Sequence, residues 1–134
     1  MFLNRLNEAT KESFLKLCVY AALSNGIFAE KEKEILFAYC REMNVNEIIP
    51  DTPETFEELI TKINSETNAE EKNIYILEVL ALIKSDEIYD EKEQEFMKKL
   101  AFGLGFSDDV LVKYNNLLEK YLEIGKELYA AITK

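Results

Sequence analysis

The 134-residue sequence contains no histidine and no tryptophan, and it has only two cysteines, two prolines and four glycines. Histidine is the commonest general base near neutral pH and the commonest transition-metal ligand, so its absence excludes an ordinary Ser–His–Asp triad. The sequence also lacks a CxxC pair and a glycine-rich phosphate loop. We therefore expect no enzymatic activity. The shortage of proline and glycine predicts long helices joined by short connections.

Positive charges are outnumbered by negative ones, 16 to 26, so the net charge is −10 and the pI is near 4.6. Such a field repels phosphate backbones and anionic lipids, so we expect no nucleic-acid partner and no role at a membrane surface. Apolar runs of about ten residues are too short to span a bilayer. A basic protein partner or a divalent cation is compatible with the charge, although acidic helical surfaces also serve solubility alone.

The length and composition indicate a single domain over residues 1–134. A chain of this size buries one ordinary core. Its 48% hydrophobic and 31% charged residues are globular values.

Residues 14–45 and 75–106 form an internal repeat with an offset of sixty-one positions. Chance would give about two to three identities for such compositions. Six pairs are identical: Ser24/Ser85, Ile27/Ile88, Glu30/Glu91, Lys31/Lys92, Glu32/Glu93 and Glu34/Glu95. Most other pairs keep their polarity, so the duplication preserves a packing scheme.

The two cysteines are expected to be core residues. Cys18 and Cys40 correspond to the aliphatic residues Val79 and Ala101 in the second copy. Aliphatic counterparts argue against a disulfide or a zinc site. Two reduced cysteines indicate a cytoplasmic protein.

The apolar spacing predicts an all-α fold of about six helices and no β-strand of useful length. Two αα-hairpins occupy residues 14–45 and 75–106, with a short connecting helix between them and a long C-terminal helix after them. The first helix is predicted from about Leu3 to Leu23, and Ser24-Asn25-Gly26 ends it. The second runs from about Ala29 to Met43.

Helix-start signals place the remaining helices. Thr52-Pro53 is a suitable N-cap and first position for the connecting helix. Asn68 starts the next helix, Asp90 starts the fifth, and Ser107 is expected to cap the last one. Gly103 and Gly105 close the fifth helix.

The turns inside the two hairpins are the candidate site. The second copy gathers Asp86, Asp90 and Glu93 within a short loop, and clustered oxygen ligands suit calcium or magnesium. The loop is not an EF-hand, because Met97 would occupy the bidentate twelfth position. Helix capping is the alternative explanation, since acidic residues at a helix N-terminus complement its dipole and bind its free amides.

These turns carry a family resemblance. They read Asn25-Gly26-Ile27-Phe28-Ala29-Glu30-Lys31-Glu32 and Asp86-Glu87-Ile88-Tyr89-Asp90-Glu91-Lys92-Glu93. An acidic turn followed by a helix that opens with Glu-x-Glu resembles the tellurite-resistance TerB-like family, which is all-helical, has a duplicated hairpin and carries an Asp-Gly-x-Ile-Ser-x-x-Glu type of turn.

The resemblance implies a stress-response or scaffolding role and metal-facing positions at Asp86, Glu93 and Glu32. Asn25 stands where the family prefers aspartate and would be a neutral ligand. A metal site would therefore be centred on residues 86–93.

Two further features bear on function. Glu78 lies within an apolar helix, where it either faces solvent through one exposed strip or has a raised pKa and performs acid–base chemistry. The last helix carries a long apolar stripe with several tyrosines, which favours a docking surface for a protein partner. The stripe is equally compatible with packing inside the monomer and with a homodimer.

Overall fold

The computed structural model describes residues 1–86 and 89–134, except for the side chain of Asp86. Every regular element in these residues is helical, which confirms the predicted all-α class. Six α-helices follow in order: α1 Glu8–Ala22, α2 Glu30–Glu42, α3 Phe56–Glu66, α4 Ala69–Ile83, α5 Glu91–Gly103 and α6 Asp109–Ile132. Two short 3₁₀ turns cover Leu3–Arg5 and Lys84–Asp86.

Helices α1 and α4 form the centre of the molecule. Helix α1 packs against α2, α3, α4 and α5, and α4 also contacts α2, α5 and α6. From Phe14 in α1 and from Ile74 in α4 their sequences are apolar on nearly all sides, which is typical of helices surrounded by others. The ring of Phe14 on α1 lies between Tyr39 on α2 and Tyr75 on α4, at centroid distances of 5.7 and 5.2 Å. This aromatic cluster joins three helices in one core.

Each predicted hairpin corresponds to a central helix followed by a more peripheral one. Helix α1 contacts α2, and α4 contacts α5. Equivalent positions of α2 and α5 are buried, among them Leu36 and Met97 at 0% exposure. Cys18 and Cys40 are free and fully buried, as expected for core residues.

The predicted start of the first helix is wrong by several residues. The chain forms a 3₁₀ turn at Leu3–Arg5, is extended at Leu6, and enters α1 only at Glu8. This break allows Leu3 and Leu6 to point into the core, where they are 0% and 5% exposed. The apolar period alone could not show it, because both residues also fit a continuous helix.

The predicted N-caps of two other helices also need correction. Helix α3 begins at Phe56 rather than at Thr52-Pro53, because Thr55 and Glu58 form a reciprocal capping box with N–H···O distances of 3.1 and 2.9 Å. Helix α6 has Asp108 rather than Ser107 at its N-cap.

The other predicted boundaries are confirmed. Asn68 and Asp90 cap α4 and α5 through their side chains. Helix α5 ends at Gly103, and Gly105 follows with a φ of +88°. Gly26 has a φ of +87° just after α1, a left-handed conformation that glycine adopts without a steric penalty. None of the helices in the described residues combines the length and apolarity that crossing a bilayer requires.

Glu71 joins the start of α4 to the start of α1. One carboxylate oxygen accepts the Asn68 N–H at 3.1 Å, as in a capping box. The other accepts the Thr10 hydroxyl at 3.1 Å and the Asn7 N–H at 3.3 Å. The residue is only 3% exposed, so no solvent replaces these bonds.

Glu78 is buried, which contradicts the expected exposed strip. Its residue exposure is 1%, and its carboxylate accepts hydrogen bonds from the Met1 amine at 2.8 Å and the Phe2 N–H at 3.3 Å. Burial lowers the pKa of the Met1 amine, but hydrogen bonds and charges from Glu78 and then Glu42 outweigh it and raise that pKa. Glu78 therefore holds the first residues against α4.

We predict that Glu71→Ala lowers the free energy of unfolding by about 2–4 kcal/mol, because the Thr10 hydroxyl and the Asn7 and Asn68 N–H groups lose an acceptor. Urea unfolding followed by circular dichroism measures this loss. Glu70→Ala is the matched control on the same helical turn. Its side chain is 54% exposed and pairs with Arg5, so we expect a change below about 1 kcal/mol. Equal losses in both variants would contradict the role of Glu71.

We also predict that Glu78→Gln lowers the free energy of unfolding at pH 7 by about 1–3 kcal/mol. The pKa of the Met1 amine is raised above its ordinary value of 8.0, so the pair stabilises the fold fully below that pH. Its contribution is lost as pH rises through the raised pKa, and the difference between wild type and variant should then shrink. Denaturant unfolding between pH 7 and pH 10 measures this trend.

Glu47→Gln is the control for the pH series, because Glu47 is 48% exposed and pairs with Arg41 at the surface. We expect it to follow the wild type across the whole range. A Glu78→Gln deficit that stays constant with pH would show that the amine is not the partner that matters.

Candidate functional site

The acidic turn of the second hairpin is organised as a helix cap. The Asp90 carboxylate accepts the Glu93 N–H at 2.8 Å, and the Glu93 carboxylate accepts the Asp90 N–H at 3.1 Å. In the first hairpin Ala29 has no side-chain acceptor, so only half of this arrangement remains, with the Ala29 N–H donated to Glu32 at 3.1 Å. Asp90, Glu93 and Glu32 thus all serve helix starts.

The two glutamates at these caps are fully buried, because Glu32 and Glu93 are both 0% exposed. Buried carboxylates are costly unless they are bound to hydrogen-bond donors or cations. Helix α2, which carries Glu32 in its first turn, also contacts the 3₁₀ turn Lys84–Asp86. The fold therefore brings the start of the second acidic turn against a helix of the first hairpin.

Asn25 and Asp86 are the other two predicted metal ligands. The Asn25 side chain accepts the Ile27 N–H at 3.0 Å within its own turn. The side chain of Asp86 lies outside the described residues, as does Glu87. Within the part of the chain that is described, three or more Asp, Glu or Cys side chains do not come together as a metal site.

The second candidate surface is the C-terminal half of α6, residues 119–132, which we call the α6 tail. Every residue of the α6 tail is exposed. Its apolar side chains are Tyr121 at 59%, Leu122 at 55%, Ile124 at 56%, Leu128 at 62%, Tyr129 at 69% and Ile132 at 80% exposure. Single exposed apolar residues are ordinary, but a contiguous stripe of this size is typical of an interaction surface.

The first half of α6 attaches this tail to the body of the molecule. Leu118 is buried at 6% exposure, and the Tyr114 hydroxyl donates to the Asn73 side chain at 2.8 Å. Lys84 donates to Asn115 and forms a 3.6 Å ion pair with Glu119. Beyond Glu119 the helix continues with its apolar residues uncovered.

A groove of about 610 Å³ lies where the α6 tail leaves the body. Its apolar lining comes from Ile35, Ala81, Leu118, Tyr121 and Leu122, and its basic lining includes Lys31, Lys84 and Lys126. Tyr89 also lines it, and burial together with the charge of Glu93 raises the pKa of Tyr89 to about 12. The tyrosine is therefore a neutral donor at physiological pH. Glu78 is not among the groove residues, so no acid–base group opens into it from α4.

Sequence reasoning located the stripe on α6 but not which part of it is uncovered. Val110, Leu111, Tyr114 and Leu118 pack against the core, whereas the tail residues of the same period do not. The apolar residues have the same spacing in both halves of α6, so this spacing does not show where packing against the core ends. Glu71 and the Met1–Glu78 contact were also missed, because both join residues far apart in the sequence.

Similarity to known proteins is found in the structure of the chain and not in its sequence. No protein-family model matches it, and no curated protein matches it by sequence. Its structure is similar to the crystal structure of a tellurite resistance protein from Nostoc punctiforme, with a TM-score of 0.75 and 16% sequence identity. The match covers 95% of this chain and 82% of that protein. The chain therefore has the fold of this tellurite resistance protein.

Proposed function

We propose that this chain is a non-enzymatic, cytoplasmic protein-interaction module of TerB-like fold that docks its partner through the α6 tail. The single observation that carries the proposal is the row of apolar side chains on that tail, which are 55–80% exposed. The structurally similar protein from Nostoc punctiforme is a tellurite resistance protein, and we extend to this chain a related role in stress response.

Burial of the tail by a partner is favoured energetically. Each square ångström of apolar surface removed from water contributes about 25 cal/mol, so a stripe of six large side chains is a substantial source of affinity. A helical segment of fourteen residues is also marginal in water when nothing packs on it. Docking would stabilise the helix and bury the stripe at the same time.

The chemistry of the remaining groups supports a role in binding rather than in catalysis. Burial raises the pKa of both the Cys18 and the Cys40 thiol, which keeps them from acting as thiolate nucleophiles. Glu78 already accepts two hydrogen bonds inside the core. A reduced interior with two free thiols agrees with the proposed cytoplasmic location.

We predict that a photo-reactive amino acid at Leu128 forms covalent adducts in the cells that produce the protein. The same probe at Glu123 is the matched control, because Glu123 is exposed on the same tail but outside the apolar stripe. Adducts at Leu128 should be lost when Ile124→Glu is added, since a charge in the stripe opposes docking. The Ile124→Glu chain should still unfold in a cooperative thermal transition, because Ile124 is 56% exposed and its replacement does not disturb the core. Adducts of equal yield at both positions, or at neither, would contradict the proposal.

The second candidate is a divalent-cation site at the acidic turns. The observation that favours it is the complete burial of Glu32 and Glu93, together with the packing of α2 against the turn that contains Asp86. Calcium or magnesium would require further oxygen ligands, and Asp86, Asp90 and Asn25 are the candidates from the same turns. Such a site would couple cation binding to the relative position of the two hairpins.

We predict for this candidate that calcium, magnesium or manganese at millimolar concentration releases measurable heat in calorimetry and raises the melting temperature. Asp86→Asn should abolish both effects, because the ion loses a charged ligand. Glu91→Gln is the control, since Glu91 is an exposed residue of the same turn. Absence of heat and of any melting shift with all three metals would refute the cation site and leave the docking proposal unaffected.

A further inference from the structure

We propose that the partner of the α6 tail is a second copy of this chain, and that two α6 helices pair antiparallel as a short coiled coil. The proposal rests on the docking function above and specifies its partner. Four observations support it: the spacing of the exposed residues, the charges beside them, the distribution of charge in the chain, and the side of α6 that the body leaves open.

The exposed residues follow a heptad repeat. Leu117, Tyr121, Ile124, Leu128 and Ala131 are separated by alternating steps of four and three residues, and we call this set the seam. Steps of three and four are the a/d pattern by which two helices interlock side chains. If α6 packed only against the rest of its own chain, the apolar a/d spacing would be needed only as far as Leu118, where burial ends. The seam continues well beyond that point.

The seam lies on an open side of α6. The side chains that attach α6 to the body include Leu111 and Leu118, and Leu118 is 6% exposed. Successive residues of an α-helix are rotated by about 100° around its axis, so the seam faces a different direction from the side that is attached to the body. Leu117, next to Leu118 but on the seam, is 47% exposed. A second helix can therefore reach the seam without displacing α6 from its own core.

The charges beside the seam are complementary only in the antiparallel orientation. Tyr121 and Leu128 occupy a positions of the repeat, and Leu117 and Ile124 occupy d positions. When a positions of one copy meet d positions of the other, Tyr121 packs against Ile124 and Leu117 against Leu128, each pair occurring twice by symmetry. In this register Lys120 of one copy lies beside Glu127 of the other, again twice. In a parallel pair, Lys120 would instead lie beside Gly125, and this charge match would be lost.

The distribution of charge points to the same orientation. Residues 119–134 contain three lysines and three glutamates, so the whole net charge of −10 resides in residues 1–118. In the antiparallel register residue 118 of one copy lies level with residue 127 of the other, so about nine helical residues, or roughly 13 Å, separate the ends of the two acidic bodies. This separation exceeds the Debye length of about 8 Å at physiological salt. A parallel pair would set the two bodies side by side.

Analytical ultracentrifugation of the full chain tests the pairing. We expect a dimer of twice 15.6 kDa at micromolar concentration and a monomer for Ile124→Glu. Lys120→Glu should weaken the dimer by roughly tenfold, because like charges then face each other twice. The double variant Lys120→Glu/Glu127→Lys exchanges the two charges and should restore the dimer to within about threefold of wild type. Lys98→Glu, at an exposed position of α5 away from the seam, makes the same change of net charge as Lys120→Glu and is the control.

Cysteine pairing tests the orientation. We would mix a Tyr121→Cys chain with an Ile124→Cys chain under mild oxidation. The antiparallel register predicts a mixed disulfide between the two chains, whereas a parallel pair would give disulfides between identical chains. Cys18 and Cys40 do not compete, since both are fully buried.

A wild-type chain that is monomeric at several hundred micromolar overturns the self-pairing. Loss of dimerisation in Lys120→Glu without recovery in the charge exchange overturns the register. The adducts at position 128 test the docking function separately. If the chain is monomeric and these adducts contain another protein, the docking function is supported and only the second copy as partner is refuted. Adducts of twice the chain mass support both proposals.

Discussion

Burial of α1 and α4 on nearly all sides is the constraint on which the rest of the structure depends. With no disulfide in the described residues, the core is held mainly by apolar packing of these two helices against their neighbours. Polar atoms that enter this core need partners inside it. The Tyr39 hydroxyl accordingly donates to the Glu78 carbonyl at 2.7 Å, and the Tyr75 hydroxyl donates to the Thr10 carbonyl at 2.5 Å.

Buried carboxylates follow from the same constraint and explain how acidic residues serve this fold. Glu71 and Glu78 each accept backbone N–H groups from the segment that precedes α1, so they position a part of the chain that its own sequence does not make α-helical. Glu32 and Glu93 occupy equivalent cap positions in the two hairpins. These acidic residues bind the N–H groups at helix starts. The proposed cation site would use carboxylates that already have this structural role.

Helix α6 extends beyond the core that α1 and α4 form. Its first half packs on α4 and α5, while its second half continues with the same apolar period and no body beside it. A surface of this kind is costly in water, and its neutral charge within a chain of net charge −10 removes the repulsion that would oppose pairing. The proposed self-pairing therefore follows from a packing pattern that extends further than the core it serves.

The sequence by itself determined the helical class and most helix boundaries, because these depend on local signals: apolar period, capping residues and glycine. It also determined the burial of Cys18 and Cys40, because the internal repeat sets each of them against an aliphatic residue. It did not determine the break before Glu8, the burial of Glu78 or the exposure of the α6 tail. Each of these depends on contacts between residues 39 to 77 positions apart, or on their absence, as with Glu78 and Met1 or Leu3 and Glu42. Tertiary structure decided them, because a periodic pattern shows that a face is apolar but not what covers it.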